Sequence, residues 1–207
     1  MKQIAIILTF GIIIASCKND KKSDEKLVEK TELSQIDSSK TMGINWNEIT
    51  ELKDIGEFPF VVIPNELKIK NVKDGFSNLF EFETLANYTK NGVEFTTGKL
   101  GVLHFEDEKG SPYNQNVFES TFYNYFEKIG ATVLYKGILP EINSENEVEL
   151  NKLNRNAKIG DVEFNYYNHG NYPTAVYIFK NNGKNYIANI QSNASEGNAF
   201  IMEIKEK

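Results

Sequence analysis

Cysteine is nearly absent from this chain, which has one, Cys17, among its 207 residues. An intramolecular disulfide is therefore excluded, and the fold has to be stabilised by its apolar core. Histidine is also scarce, since only His104 and His169 occur, and zinc sites usually draw on several histidine or cysteine ligands. The sequence thus predicts no metal centre.

Clusters of basic residues are missing as well. Arg155 is the only arginine, and the formal net charge is −6 at pH 7. Because nucleic-acid-binding proteins neutralise phosphates with grouped lysines and arginines, this composition argues against nucleic acid as a partner. The Gly-x-Ser-x-Gly elbow, the Walker loop and the dinucleotide-binding glycine pattern do not occur either. We therefore expect no cofactor.

No apolar run in the sequence is long enough to span a membrane. The run from Ile4 to Ala15 follows Lys2 and falls well short of the roughly 20 apolar residues that a spanning helix needs. A basic start, a short apolar stretch and small residues before a cleavage point are the pattern of a secretory signal. The N-terminus is therefore interpreted as a signal peptide.

The end of this run carries a more specific motif. Ile14-Ala15-Ser16-Cys17 resembles the lipobox of a bacterial lipoprotein, and the only cysteine stands where a lipobox needs it. The resemblance implies that residues 1–16 are removed and that Cys17 becomes a lipid-bearing N-terminus held in a membrane. The alternative is an ordinary signal peptide in which Cys17 falls there by chance.

The residues after Cys17 bear on where such a lipoprotein would reside. Lys18 occupies the position at which an Asp would resemble an inner-membrane retention signal, so an outer-membrane destination in the cell envelope is favoured. The tract 18–22 also resembles charged tracts that direct some lipoproteins to the cell surface. Which leaflet and which side of the membrane are used stays open.

The chain divides into three regions by composition. After the signal peptide of residues 1–16, residues 17–42 comprise the lipidated cysteine and a charged segment with six lysines and six acidic residues. Such a segment buries too little apolar surface to order itself, and its reach as a flexible tether is on the order of 30 Å. An amphipathic helix within it is the alternative. Residues 43–207 are predicted to form a single domain.

The domain begins with strand-like patterns. Residues 58–64 are apolar and bracketed by prolines, which indicates a short edge strand or an extended packed segment. Residues 80–82 and 93–95 alternate with period two, and residues 99–105 are predicted to form a buried strand.

One helix is predicted clearly. Asn116 is the expected N-cap, with Glu119 in the capping-box position and Gly130 as the stop. One face of this helix is aromatic and aliphatic and is expected to pack on a sheet. Its members are Phe118, Phe122, Tyr125, Phe126 and Ile129.

The remaining segments are predicted to complete an α+β fold. A strand over 131–139 and a weaker helix over 145–155 precede a hairpin of 174–180 with 184–191, which turns at Asn181-Asn182-Gly183. A turn at 195–198 leads to a third strand, so the C-terminus forms a three-strand meander. We expect a mostly antiparallel sheet with one or two helices packed on one face.

Two groups of residues are candidates for chemistry or binding. Asp161 with Glu163, like Glu106 with Asp107, could form a carboxylate pair of the kind glycoside hydrolysis needs. The segment 164–173 combines aromatic rings with asparagine amides, which suits sugars or peptides. Its candidate binding residues are Tyr166, Tyr167, Asn168, His169 and Tyr172. The alternative is a loop whose tyrosines cap the sheet edge, and His104 is interpreted as a hydrogen-bonded sheet residue.

Short motifs spread over residues 55–205 carry a family resemblance. They are Phe58-Pro59-Phe60 with Pro64, Phe80 to Phe82, Gly98-Lys99-Leu100, Tyr123 to Gly130, Val133-Leu134-Tyr135 and Ala175 to Ile178. Together they resemble an uncharacterised envelope module that often precedes a peptidoglycan-binding OmpA-type domain in Gram-negative bacteria. No OmpA-type domain follows within the 207 residues, so peptidoglycan binding by that route is not expected. The resemblance implies no functional residues.

These observations favour a lipid-anchored envelope protein whose domain binds a partner protein or a glycan without catalysing a reaction. The alternative is a lipid-anchored carbohydrate-processing hydrolase that uses Asp161 or Glu163. A third hypothesis is an assembly factor in outer-membrane biogenesis.

Overall fold

The computed structural model describes residues 43–70, 72–138, 148, 158–159, 162–163 and 172–205. The strands are β1 (Asn78–Thr89), β2 (Gly92–Glu106), β3 (Thr132–Ile138), β4 (Lys158–Ile159), β5 (Val162–Glu163), β6 (Pro173–Asn181), β7 (Lys184–Ser192) and β8 (Glu196–Ile204), and the helix is α1 (Gln115–Ile129). The α+β prediction is confirmed: within the described residues, a six-stranded antiparallel sheet packs with a single α-helix. The signal peptide, the tether and, apart from Val148, the weaker helix over 145–155 lie outside the described residues.

The sheet has the strand order β1-β2-β8-β7-β6-β3, and the pair β4 and β5 forms a separate two-stranded ladder. The predicted C-terminal meander is confirmed, because β6, β7 and β8 pair antiparallel in sequence order. Its first turn places Asn182 at φ 52° and Gly183 at φ 72°. Two consecutive positive φ values match the twist of a two-residue hairpin, which is why the Asn-Gly pair predicts it well.

Helix α1 covers one face of the sheet with aromatic rings. Phe118, Phe122 and Phe126 are fully buried, and Phe126 stacks on Tyr177 of β6 with ring centroids 5.1 Å apart. The predicted stop is confirmed, since Gly130 ends the helix in the left-handed conformation at φ 84°. The aromatic stripe therefore does place α1 on the sheet.

The predicted N-cap of α1 is wrong by two residues. Asn114, not Asn116, is the cap, and its side chain accepts a hydrogen bond from the backbone N–H of Val117 at 3.1 Å. Both residues are asparagines, and the chain leaves its extended conformation at Asn114. Glu119 therefore lies in the second turn, where its carboxylate binds Gln115 and Ser192 instead of the cap.

Residues 52–76, here called the strap, run without regular strands along the α1 face. The stretch 58–64 is an irregular packed segment of the strap and not an edge strand, because Phe60 adopts φ 73° and turns its ring inward. That ring lies 5.4 Å from Phe179 and 5.0 Å from Tyr186. The strap thus shares the apolar core with α1. Its buried members are Leu52, Phe60, Val61, Leu67 and Phe76.

The β1–β2 hairpin bends over the opposite face of the sheet. A bulge between Phe80 and Glu83 shifts the β1 register, and Gly98 pairs with Glu83 directly beyond it. Past this bend, the free edge of β1 approaches β7, where the side-chain amide of Asn189 donates to the carbonyl of Ala86 at 2.9 Å.

Both faces of β1 are buried beyond the bend, because each packs against a different apolar cluster. Leu85 packs with Leu100, Val102, Phe200 and Met202. Ala86 and Tyr88, on the other face of the strand, pack with Val93, Val176, Ile178 and Ile187. The hairpin therefore rests on the sheet by its edge rather than by a face.

Residues 44–52, here called the clamp, fasten the start of the domain to one end of β6. Ile44, Trp46 and Ile49 pack against the cluster that contains Tyr88. Farther along, the N–H of Leu52 donates to the carbonyl of Lys180 at 2.8 Å, and the Asn181 amide donates to the carbonyl of Leu52 at 2.9 Å.

The bend of the hairpin yields a stability prediction. A Cβ atom at Gly98 would overlap the backbone carbonyl of Glu203, which cannot swing away as a side chain would. We expect Gly98→Ala to lower the free energy of unfolding by about 2–3 kcal/mol or more, as overpacking does. Urea unfolding followed by circular dichroism measures this change.

Gly137→Ala is the matched control for this substitution. Gly137 lies in β3, and the nearest atom that its Cβ would meet, the Tyr135 hydroxyl oxygen, is 3.4 Å away. We expect this variant to stay within about 0.5 kcal/mol of the wild type. Equal effects of the two substitutions would contradict the close approach of β2 and β8.

Candidate functional site

The residues predicted from the sequence to form a site are only partly described. Cys17, Asp161 and residues 166–169 lie outside the described residues. Glu163 ends the short strand β5, where its backbone pairs with that of Lys158. Tyr172 is half-buried and directly precedes β6. The structure therefore places one member of the predicted aromatic segment, Tyr172, at the start of a central strand.

A buried row of polar side chains crosses four strands near Tyr172. Thr174 pairs with Gln191, Gln191 with Asn198, and Asn198 with His104. Directly opposed residues of antiparallel strands share a face, so all four side chains lie together on the face opposite α1. Their exposed fractions are 1%, 6%, 7% and 2%, in that order along the row. We call these four residues the polar row.

The Tyr172 end of the polar row is closed by a local contact. The Thr174 hydroxyl donates to the carbonyl of Tyr172 at 3.4 Å. Among the sequence-predicted binding residues that the structure describes, Tyr172 is thus the one that adjoins the polar row.

His104 is held on three sides. Its Nδ1 lies 2.6 Å from Oδ1 of Asn198, and its Nε2 lies 3.3 Å from Oε2 of Glu106. Its backbone N–H donates to the Ser77 hydroxyl at 2.9 Å. Both ring nitrogens therefore face oxygen acceptors inside the sheet. This arrangement agrees with the interpretation of His104 as a hydrogen-bonded sheet residue.

An ion pair closes the His104 end of the polar row. Lys70 of the strap contacts the Glu106 carboxylate, and the Lys70 N–H donates to the carbonyl of His104 at 2.7 Å. The hydrogen bond from Lys70 is the largest cause that lowers the pKa of Glu106, and His104 adds to it, whereas burial opposes it. The same contact raises the pKa of Lys70. An ion pair and a backbone hydrogen bond thus attach the strap to β2.

The polar contacts continue from the polar row to the bent hairpin. The Gln191 amide donates to Oδ1 of Asn189 at 3.2 Å, and Asn189 donates in turn to the carbonyl of Ala86. Hydrogen bonds therefore form two groups on this face: Glu106, His104 and Asn198 near the rim of the sheet, and Gln191, Asn189 and the Ala86 carbonyl toward the edge of β1.

A second polar cluster lies on the α1 face. The Glu119 carboxylate accepts from the Ser192 hydroxyl at 2.6 Å and from the Gln115 amide at 2.8 Å. Burial is the largest cause that raises the pKa of Tyr113 and of Tyr123 beside it, and the Glu119 charge adds to both shifts. This cluster joins the start of α1 to the end of β7. Because Ser192 donates to a carboxylate and not to an imidazole, it does not form the Ser–His pair of an activated serine nucleophile.

Sequence reasoning missed the polar row, although a signal for it exists. Asn189, Gln191 and Asn198 are polar residues placed among apolar ones, and the two in β7 lie two positions apart. Period two places them on one face of a strand. The register between β2 and β8, which brings His104 to Asn198, cannot be predicted from the pattern of neighbouring residues in the sequence.

Among the described residues, no three His, Cys, Asp or Glu side chains are grouped so that they could hold a metal ion. The helix within the described ranges is too short and too polar to cross a membrane. Searches against protein-family models, curated proteins and solved structures give no match to this chain. The resemblance to the envelope module therefore stays a prediction.

The Lys70–Glu106 pair leads to a prediction about how the folding stability changes at acidic pH. A carboxyl group whose pKa is lowered on folding stabilises the protein above its unfolded pKa, and this contribution is lost as the pH falls through the folded value. We expect Glu106→Gln to be less stable than the wild type near pH 7, by no more than about 1 kcal/mol because the pair is partly exposed. The difference shrinks as the pH falls below about 4. Thermal melts from pH 7 to pH 3 measure it.

Glu66→Gln is the control, because Glu66 is an exposed carboxylate on the same strap. A constant difference between wild type and Glu106→Gln over the whole pH range would contradict the ionic role of Glu106. The same pH dependence in Glu66→Gln would attribute it to the overall charge of the protein.

Proposed function

We propose that the protein is an envelope lipoprotein, anchored through lipid on Cys17, whose domain binds a partner protein without catalysing a reaction. The observation that carries the anchor is the lipobox-like Ile14-Ala15-Ser16-Cys17, which contains the only cysteine of the chain. Two or more acyl chains give firm membrane attachment, whereas one chain gives only marginal attachment.

The clamp supports a domain that is held from its N-terminal side. Residues 51 and 52 pair with the end of β6, and the backbone N–H of Gly183 donates to the Glu51 carboxylate at 2.9 Å. A pull along the chain from residue 43 would therefore reach the central strands through hydrogen bonds and apolar packing. This arrangement suits a domain at the end of a tether.

The geometry of β6 supports a binding end opposite the clamp. The clamp joins β6 at Lys180 and Asn181, whereas Tyr172 and Thr174 lie where the strand begins. Thr174 and Asn181 lie seven positions apart, which at about 3.3 Å per residue places the two ends roughly 20 Å from each other. The end of the sheet at Tyr172, here called the free end, is therefore separate from the end of β6 that residues 51 and 52 contact.

The free end also gathers the turns that connect the strands there. These are the β2–α1 connection, the β7–β8 turn around Ser195 and the entry to β6 at Tyr172. Loops positioned by a rigid sheet are common sites of binding. We assign partner binding to the free end, and a protein partner is favoured because its turns offer both charged and aromatic groups.

The anchor is tested by Cys17→Ser. We expect this variant to lose incorporation of a clickable fatty acid and to move from the membrane pellet to the soluble fraction, since the acylated thiol is gone. Ser16→Ala is the control, because it keeps a small residue at this position and leaves Cys17 in place. A Cys17→Ser protein that stays in the pellet after a carbonate wash would overturn the anchor.

Partner binding at the free end is tested by site-specific photo-crosslinking in cells. A photoreactive residue at the exposed Ser195 is compared with one at the exposed Lys184, which lies at the clamp end of the same meander. We expect a discrete protein adduct from position 195 that position 184 does not give. Adducts of equal yield at both positions, adducts with glycan only, or no adduct at position 195 would each contradict a protein partner at the free end.

A further inference from the structure

Asn87 presents a buried acceptor in the part of β1 that rests on the sheet. Its side chain is fully buried, and its amide nitrogen donates to the Thr96 hydroxyl at 2.7 Å and to the carbonyl of Leu85 at 3.2 Å. Its Oδ1 receives no hydrogen bond from any residue that the structure describes. The two ends of one amide therefore differ: the nitrogen is satisfied and the oxygen is not.

Rotating the amide by 180° does not remove the difference. The carbonyl of Leu85 can only accept a hydrogen bond, so it requires the amide N–H on its side. Exchanging the two ends would set the amide oxygen against that carbonyl. The orientation in which Oδ1 is unpaired is thus the one that the neighbours of Asn87 determine.

Two donors close to this part of β1 have partners of their own. The Asn189 amide donates to the carbonyl of Ala86, and the Thr96 hydroxyl donates to the Met202 sulfur at 3.4 Å. Buried polar atoms in folded proteins are almost always paired with protein or with ordered water. No donor among the described residues reaches this oxygen, and ordered water is the other usual donor to a buried acceptor.

The donor must be small, because the surroundings are closed. Leu85 and Tyr88 of the same strand are fully buried, and so is Met202, which packs in the cluster of Leu85. Thr96 Oγ1 has two lone pairs and accepts from Asn87 with one of them, so a second acceptor lies beside the first. A buried water molecule needs at least two polar partners of this kind.

We propose that Asn87 Oδ1 and Thr96 Oγ1 bind one internal water molecule, which donates to both oxygens and ties the bent hairpin to itself where it rests on the sheet. The water is a structural part of this contact. It does not depend on the anchor or on the partner.

Water-selective ROESY on the full-length, ¹⁵N-labelled protein tests the proposal. We expect a cross-peak between a long-lived water and the Asn87 side-chain amide protons. Asn189 is the internal control, because both ends of its equally buried amide have protein partners. We expect no such cross-peak there.

Magnetic relaxation dispersion of water provides a second measurement. The amplitude from long-lived internal waters is expected to fall by that of one molecule in Asn87→Leu and to stay unchanged in Lys90→Leu, an exposed position on the same hairpin. The ROESY measurement needs only the wild type, so it decides the question if Asn87→Leu fails to fold. A missing cross-peak at Asn87, or an equal one at Asn189, would overturn the proposal.

Discussion

The hydrogen bond from Asn189 to the carbonyl of Ala86 is the contact on which the non-helical side of the molecule depends. An edge strand carries backbone groups that water normally satisfies, and burying such an edge leaves them unpaired. Here the buried edge of β1 lies near β6 and β3, and the amide of a fully buried asparagine from β7 supplies a donor to it. The bulge at Phe80–Glu83 and the close approach at Gly98 bring the strand to that position.

This arrangement explains why the two faces of the sheet differ in chemistry. The α1 face is filled by rings and aliphatic side chains, which need no orientation beyond good packing. The opposite face must receive a strand edge, so it carries asparagines, glutamine and histidine among its apolar residues. Buried polar groups are costly unless each finds a partner. Glu106 and Asn198 are the partners of the His104 ring, and Asn189 is a partner of Gln191.

The features that the sequence predicts correctly are those that depend on residues close together in the chain. The Asn182–Gly183 turn, the aromatic stripe of α1 and its end at Gly130 each depend on residues close together in sequence. The predicted N-cap is wrong because the side chains of Asn114 and Asn116 are equally able to cap a helix. Only the path of the preceding chain decides that Asn114 does so. The contact of His104 with Asn198 joins residues 94 apart, so no local pattern could reveal it.

The same distinction separates the prediction of an anchor from the proposal of a binding surface. A lipobox is recognised by enzymes that read a short extended segment, so its signal is complete in four residues. A binding surface is assembled by tertiary structure from segments that lie far apart in the chain, and the proposed surface at the free end consists of such segments. The strap shows how such an end becomes rigid. The backbone N–H of Lys70 donates to the carbonyl of His104, and the Lys70 side chain pairs with Glu106, while Ser77, directly after the strap, accepts from the N–H of His104. Rigid turns lose little conformational entropy when they bind, so the proposed partner would gain affinity from order already present at the free end.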